Sequence, residues 1–358
     1  MQLGFFTMPM HPIGKDWRQC LREDREAFIL ADRLGFVEGY CGEHATDPEE
    51  NITSSALFMA TLVDATERIK LGTGTLNMPN HHPVAVAGMV AMLDHLLGGR
   101  FILGISPGAL PSDAEVYGNM DMNRPAMFLE AINQVLQIWA SQPPYKIKGQ
   151  FWNVSTERTY LPETGMGTVP KPFQRPHPPI VVTAVAPFSQ GITEAAARGW
   201  DAISANFLLP KWVRSHWQKY EEGCVRAGRV ADRANWRVAK TVFVCEDEAK
   251  ARAYAKGSDG PYYYYYRSLY SKLKRRGALD VFRSDPKQPD HEITLESVID
   301  KLVICGSPAR VADQLHALRQ ETGEFGTLMY AGVDWTDVQL ARNSMTLMAE
   351  KVLPLVNS

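Results

Sequence analysis

Eight short apolar runs, separated by longer stretches with helical periodicity, constrain this fold more than any other feature of the chain. The runs are LGFFT (3–7), FVEGYC (36–41), IKLGTGT (69–75), FILGIS (101–106), IVVTAV (180–185), DAISANF (201–207), RVAKTVFVC (237–245) and GTLMYAG (326–332). Several are apolar at every position, the pattern of strands buried on both faces, as in a parallel sheet. The intervals read as amphipathic helices. In 125–139, Phe128, Ala131, Ile132, Val135 and Trp139 share a face, with Glu130, Gln134 and Gln137 opposite. In 308–321, Val311, Leu315 and Leu318 form a stripe, entered through Ser307 as N-cap and Pro308 at the first helical position. Eight βα units predict a parallel sheet closed into an α/β (β/α)8 barrel of the TIM type.

Two stretches interrupt the alternation. Residues 142–179, after strand four, are Pro-rich and contain YKIKGQFWNV, which predicts a strand–Gly–strand excursion. Residues 258–300, between strands seven and eight, carry the five consecutive tyrosines Tyr262 to Tyr266. Both read as long insertions in one barrel domain spanning 1–358, and loops of that length are commonly lids or binding elements. The tyrosine run reads as packing or interface, with a cofactor box as the alternative. A doubly wound nucleotide fold needs a Gly-rich turn after an early strand, but Thr7-Met8-Pro9-Met10-His11-Pro12 follows the first one.

Composition removes several function classes. Among 358 residues, 38 basic and 40 acidic side chains nearly cancel, leaving −2 and no basic stripe for nucleic acid or anionic lipid. The longest apolar stretch, VAVAGMVAML at 84–93, is about half a membrane span. The first residues lack a basic n-region and an apolar h-region, so no secretory leader is expected. The cysteines (Cys20, Cys41, Cys224, Cys245, Cys305) are scattered and odd in number, which fits a reduced, cytoplasmic protein.

In such a barrel the chemistry lies at the carboxyl ends of the strands. Glu43 and His44 follow strand two; Thr75, Asn77 and Met78 follow strand three; Ser106, Pro107 and Gly108 follow strand four; Ser189, Gln190 and Gly191 follow strand five; Asn206 and Phe207 follow strand six. Glu43 and His44 are either a hydrogen-bonding pair or proton-transfer groups. His81-His82 before Pro83 reads as a helix entry, and with no third ligand at a usual spacing no metal is expected. Ser189-Gln190-Gly191 opens a helix whose N–H groups either hold a phosphate or form an ordinary cap. Gly72 and Gly74 mark a bulge, a close approach by a flat ligand, or crowding inside the barrel.

These residues carry a family resemblance. The chain resembles the bacterial luciferase-like flavin-dependent monooxygenases over some 300 residues. The landmarks are LGFF at strand one, GEH at 42–44, G-T-x-x-x-x-x-P-x-x-H-P at 72–83, L-D-x-x-x-x-G-R-F-x-x-G at 93–104, EVYG at 115–118, QRPHPPI at 174–180, ITEAAARGWDAIS at 192–204 and CGSPARVADQL at 305–315. The motifs look nearest the limonene monooxygenase and Baeyer–Villiger-type branch.

The resemblance implies FMN, reduced by a separate flavin reductase, reacting with O2 to a flavin C4a-(hydro)peroxide that oxygenates a small hydrophobic or cyclic substrate. It implies His44 as catalytic, with Glu43 orienting its ring or neighbouring backbone. It implies FMN contacts from Gly74, Thr75, Asn77, Ser106, Gly108, Ser189, Gln190 and Gly191. The expected substrate pocket takes Phe6, Tyr117, Phe207 and Tyr264, with 258–300 as its lid. It further implies a non-proline cis peptide at Gly74–Thr75 and a homodimer built on helices near strands two and three. Two departures stand out: Ala45 where some relatives have a second His, and Pro107 where some place an Arg for the flavin phosphate. An F420-dependent oxidoreductase of the same fold, transferring hydride, and a non-catalytic flavin-binding relative are the alternatives.

Overall fold

The computed structural model describes residues 1–285 and 287–358. Eight parallel strands close on themselves: β1 (Gln2–Thr7), β2 (Glu38–Cys41), β3 (Lys70–Thr73), β4 (Phe101–Ser106), β5 (Ile180–Ala184), β6 (Asp201–Ser204), β7 (Trp236–Val244) and β8 (Thr327–Gly332). Each pairs with the next, and β8 returns to β1 with Gln2 opposite Thr327. The expected barrel and its eight strands are therefore present. Their near-continuous apolarity follows from two packing surfaces. Tyr40, Ile102, Val181, Ile203, Ala239 and Met329 fill the interior, while alternate residues such as Phe101, Leu103 and Ile105 pack outward against the helices. At the amino end of the barrel, Arg237 on β7 closes the interior on Glu38 and Asp201.

The glycines of the third run now have a physical reason. A Cβ on Gly72 would come within 2.5 Å of the Tyr40 ring, and one on Gly74 within 2.8 Å of Tyr40 Cβ and 3.2 Å of Phe6. The barrel's own side chains take that space, so crowding explains both residues. A bulge lies here as well. Gly72 faces Ile102, but after the cis Gly74–Thr75 bond the short strand Leu76–Asn77 resumes pairing with Leu76 opposite Ile105. One residue is thus gained on the β3 side. The Thr73 hydroxyl bridges the gap, accepting from Gly104 N–H at 3.0 Å and donating to Gly104 C=O at 2.6 Å.

The first insertion forms the expected hairpin, Lys146–Lys148 against Asn153–Ser155. It corrects one expectation. Glu130 and Gln134 do not face solvent: the Glu130 carboxylate accepts from the N–H groups of Gln150, Phe151 and Trp152, and Gln134 donates to the Trp152 carbonyl. The hairpin turn covers that side of helix Arg124–Ala140, so the polar side chains there serve as caps for its backbone. The second insertion contains helices Pro261–Arg275 and Leu295–Leu302. A further strand follows, Val303–Gly306, which the sequence pattern does not announce; it pairs with the second half of β7, Thr241 to Val244. Position 286 lies outside the described residues.

Candidate active site

β2 ends at Cys41, and Gly42 lets the chain cross tightly beneath the β1 loop, where a Cβ would collide with Met8 Sδ. Glu43 and His44 follow and point to different tasks. Glu43 is buried, and every bond it makes anchors neighbouring chain. Oε2 accepts from Ser55 N–H at 3.0 Å and Ser55 hydroxyl at 2.7 Å, and Oε1 accepts from Asn77 N–H at 3.0 Å and meets His81 Nε2 at 3.2 Å. Burial alone would raise its pKa, but the His81 hydrogen bond and these donors hold the carboxyl below its ordinary range. The expectation that Glu43 orients the His44 ring is corrected: of its two implied tasks, it takes the backbone one.

The ring of His44 is oriented by Asp113 instead. Oδ2 of Asp113 lies 2.7 Å from His44 Nδ1, and Glu50 Oε2 lies 3.3 Å from Nε2 on the other side. Asp113 is itself fixed, its Oδ1 accepting from Ala45 N–H, Thr46 N–H and the Thr46 hydroxyl. Burial works against a charged imidazole, yet the Asp113 hydrogen bond and the charges of Glu50, Asp113 and Asp47 outweigh it and raise the His44 pKa. His44 thus holds its proton more tightly than a free histidine.

A narrow cleft opens beside this ring, lined by Thr7, Met8, Pro9, Gly42, Glu43, His44, Glu50, Asn51 and Ile52. From β3 and β4 a hydroxyl–amide chain reaches the same rim. Thr75 donates to Ser106 Oγ at 2.7 Å, Ser106 to Asn77 Oδ1 at 3.0 Å, Gly108 N–H to Ser106 Oγ at 3.1 Å, and Asn77 Nδ2 to the Glu43 carbonyl at 3.1 Å. Thr75, Asn77, Ser106 and Gly108, all singled out in the sequence, are therefore joined to Glu43 by hydrogen bonds. Ser189, Gln190 and Gly191 stand apart from this chain, at the start of helix Gln190–Ala197 after β5. The Ser189 side chain makes no capping bond there, though its carbonyl accepts from Ile192 N–H at 3.1 Å. His81 and His82 form the expected helix entry, His82 Nδ1 accepting from Val84 N–H.

Of the expected pocket residues, Phe6 lies on the interior wall against Gly74, Tyr117 is exposed on the rim beyond Asp113, and Phe207 is half-buried after β6. The tyrosine run resolves into two faces. Tyr262 donates to the Val242 carbonyl, Tyr266 bonds Thr241, and Tyr265 bonds Asn206, seating helix Pro261–Arg275 on the barrel mouth. On the other face Tyr264, Ser268 and Lys272, one turn apart, grip the acidic segment after β2. Tyr264 and Ser268 donate to Glu49, and Lys272 pairs with Asp47 and, at 3.3 Å, with Glu50. Tyr264, expected in the substrate pocket, here fastens the covering helix to the turn after β2.

Sequence reasoning missed Asp113, Glu50, Asn51, Lys272 and Arg124. The acidic run 47–50 beside GEH and the four-residue spacing on the tyrosine helix were visible signals, but only the fold joins them. A cation does lie near the end of β4: Arg124, the first residue of helix Arg124–Ala140. Its guanidinium donates to the Pro107 carbonyl at 2.7 Å and to Asn119, and it lies against Gly108.

Comparison with known proteins agrees with this geometry. The family described as luciferase-like monooxygenase matches residues 1–324. A 4-hydroxyprotoasukamycin monooxygenase of Streptomyces nodosus subsp. asukaensis is 30% identical over 100% of this chain and 92% of its own. Limonene 1,2-monooxygenase of Rhodococcus erythropolis is 27% identical over 100% and 87%. The solved oxygenating constituent of 3,6-diketocamphane monooxygenase from Pseudomonas putida, a type II Baeyer–Villiger enzyme in complex with FMN, superposes with a TM-score of 0.89 at 27% identity, covering 99% and 98% of the two chains. An F420-dependent secondary alcohol dehydrogenase matches at TM-score 0.71 and 17% identity, a likeness of fold alone. The closed barrel, the His44 site on its carboxyl rim and these matches together place the chain in the luciferase-like monooxygenase family.

Proposed function

We propose that the protein is an FMN- and O2-dependent monooxygenase. It takes reduced flavin from a separate reductase and inserts one oxygen atom into a small hydrophobic or cyclic substrate. The observation that carries this reading is the imidazole of His44, set between Asp113 and Glu50, which favour its charged form, beside a cleft on the rim of a luciferase-like barrel. The residues present fit a flavin: a helix start after β5 that no side chain caps, a guanidinium against Gly108 after β4, and a buried carboxamide in the cleft without a partner among the described residues. Ser189, Gln190, Gly191 and Arg124 would hold its phosphate, and Gly74, Thr75, Asn77, Ser106 and Gly108 would form the wall beside it. When bound, reduced FMN supplies the electrons that activate O2.

The chain's own residues do the rest. His44 keeps a proton at the reacting edge of the site, oriented by Asp113. Glu43 fixes the backbone at Asn77, beyond β3, and at Ser55, where the next helix starts. Phe6, Tyr117, Phe207 and the helix bearing Tyr264 line the approach and keep water from it. The whole chain, 1–358, works as one barrel unit. All five cysteines are free, which supports a reducing, cytoplasmic setting, and no described helix is long and apolar enough to cross a membrane. Leu57, Met92 and Leu96, 70%, 64% and 50% exposed on neighbouring helices after β2 and β3, support a homodimer through that face.

Turnover of limonene and 2-norbornanone with reductase-supplied FMNH2 under ¹⁸O2 tests the activity. One labelled oxygen in the product is expected. Unlabelled product under active turnover refutes it, and sedimentation of the same preparation decides the dimer.

A further inference from the structure

Within the cleft beside His44, one polar group is left unexplained. Asn51 is 8% exposed, and neither its Nδ2 nor its Oδ1 has a hydrogen-bond partner among the described residues. The neighbouring Glu50 Oε2 also lacks a hydrogen bond, but it faces the His44 ring at 3.3 Å and is accounted for by that ion pair. Asn51 has no such charge to answer.

Its backbone is pinned from both sides. The Trp17 indole N–H donates to the Asn51 carbonyl at 3.0 Å, and His44 N–H donates to the Ile52 carbonyl at 3.0 Å. The carboxamide is therefore presented by rigid chain rather than left loose in a mobile loop. A buried amide unpaired at both ends destabilises a fold, and an apolar residue of the same shape would serve packing better. Such a group is retained where a ligand completes it. The free space of the cleft is about 10 Å³, room for one water-sized group, so only the edge of a ligand reaches the amide.

We propose that Asn51 recognises a ring edge on which a carbonyl oxygen stands beside an N–H. Its Nδ2 donates to the carbonyl, and its Oδ1 accepts from the N–H. Two molecules can bring that edge: the flavin, through its pyrimidinedione, or a lactam or imide substrate. The flavin source rests on the function proposed above; the substrate source does not.

The test uses the full-length protein, wild type and Asn51→Leu, with FMN, 3-methyl-FMN, glutarimide and N-methylglutarimide as probes in equilibrium binding. If the flavin supplies the edge, the substitution weakens FMN about tenfold. Blocking N3 by methylation then weakens binding to wild type by a like factor, and 3-methyl-FMN no longer distinguishes the two proteins. If the substrate supplies it, FMN binds both proteins alike, and glutarimide, but not its N-methyl form, loses about tenfold on the variant. If all four probes bind wild type and variant alike, Asn51 contacts only water and the proposal is overturned. The melting temperature gives a second readout. Asn51→Leu should raise it by about 1–3 °C, because an unpaired amide is removed; a fall would mean that the amide is already paired inside the fold, and would overturn the proposal too. If wild type binds no FMN at all, the flavin reading fails by itself and the imide pair still decides the role of Asn51.

Discussion

Replacing Asp113 with asparagine isolates the proton-holding role of His44 while keeping the shape of the site. Oδ1 of Asp113 accepts from Ala45 N–H, Thr46 N–H and the Thr46 hydroxyl, and backbone donors cannot reverse their polarity. The Asp113→Asn variant must therefore keep its amide oxygen on those donors. Its NH2 then turns toward His44 Nδ1, where the wild-type carboxylate accepts at 2.7 Å. A protonated ring would set N–H against N–H. His44 is driven to the neutral tautomer with the proton on Nε2, and its raised pKa falls. A hydrogen bond to a charged group contributes about 1.5–3 kcal/mol, so a step that needs the imidazolium should slow roughly 10- to 100-fold. Histidine NMR titration of the flavin-free protein reads the pKa directly, and product formed per FMNH2 consumed reads the consequence. The sign also carries to stability. In wild type, the His44 contribution is complete below about pH 6.5 and is lost as pH rises through the raised value, and Asp113→Asn should remove that increment. Superimposable titration curves together with unchanged coupling would refute the assignment of Asp113 as the orienting group.

Lys240 on β7 is fully enclosed, donates to the Leu208 carbonyl at 2.6 Å, and has its pKa pushed by burial down to about 7. Its cost is absent above the unfolded value near 10.5 and complete below about 7, so Lys240→Met should stabilise the fold. The gain measured by urea unfolding should shrink by about 2 kcal/mol between about pH 7 and pH 9, and a gap independent of pH would show the amine charged in the fold. His11 sits between Asp24 and Asp334; burial opposes its charge, but the two carboxylates raise its pKa to about 9. It should contribute about 3 kcal/mol below about pH 6.5 that fades as pH climbs through about 9, and His11→Asn should flatten that part of the unfolding profile. Lys272→Met removes the ammonium that faces Asp47, Glu49 and Glu50. Proteolysis within 258–300 should then quicken several-fold while Lys272→Arg restores wild-type resistance, and equal rates for all three proteins would show the covering helix held by its tyrosines alone.

The barrel was legible because its strands and helices announce themselves locally: eight apolar runs, the Ser307-Pro308 helix entry, and the strand–Gly–strand hairpin at 145–154. Elements whose environment comes from elsewhere in the chain were not. Glu130 and Gln134 read as solvent-facing because nothing local shows that a hairpin turn will fold over them. Val303–Gly306 is too short to stand out beside the helix that precedes it. In the site, position along the rim identified Glu43, His44, Thr75, Asn77, Ser106 and Gly108, since each lies at or just beyond the carboxyl end of a strand. Their division of labour depended on distant partners: Asp113 lies 69 residues from His44, and Lys272 lies 222 from Glu50, which faces the same ring. A charged residue in the middle of an insertion carries no mark of the carboxylate it will meet.

The helix that covers the mouth of the barrel is bolted on one face to the tube and on the other to the acidic turn that contacts the imidazole. Access and acidity are consequently wired together. Any attempt to admit bulkier molecules by trimming or swapping this segment will also retune the titrating group beneath it, so a redesigned entrance has to be matched by a compensating change in the charges at positions 47–50.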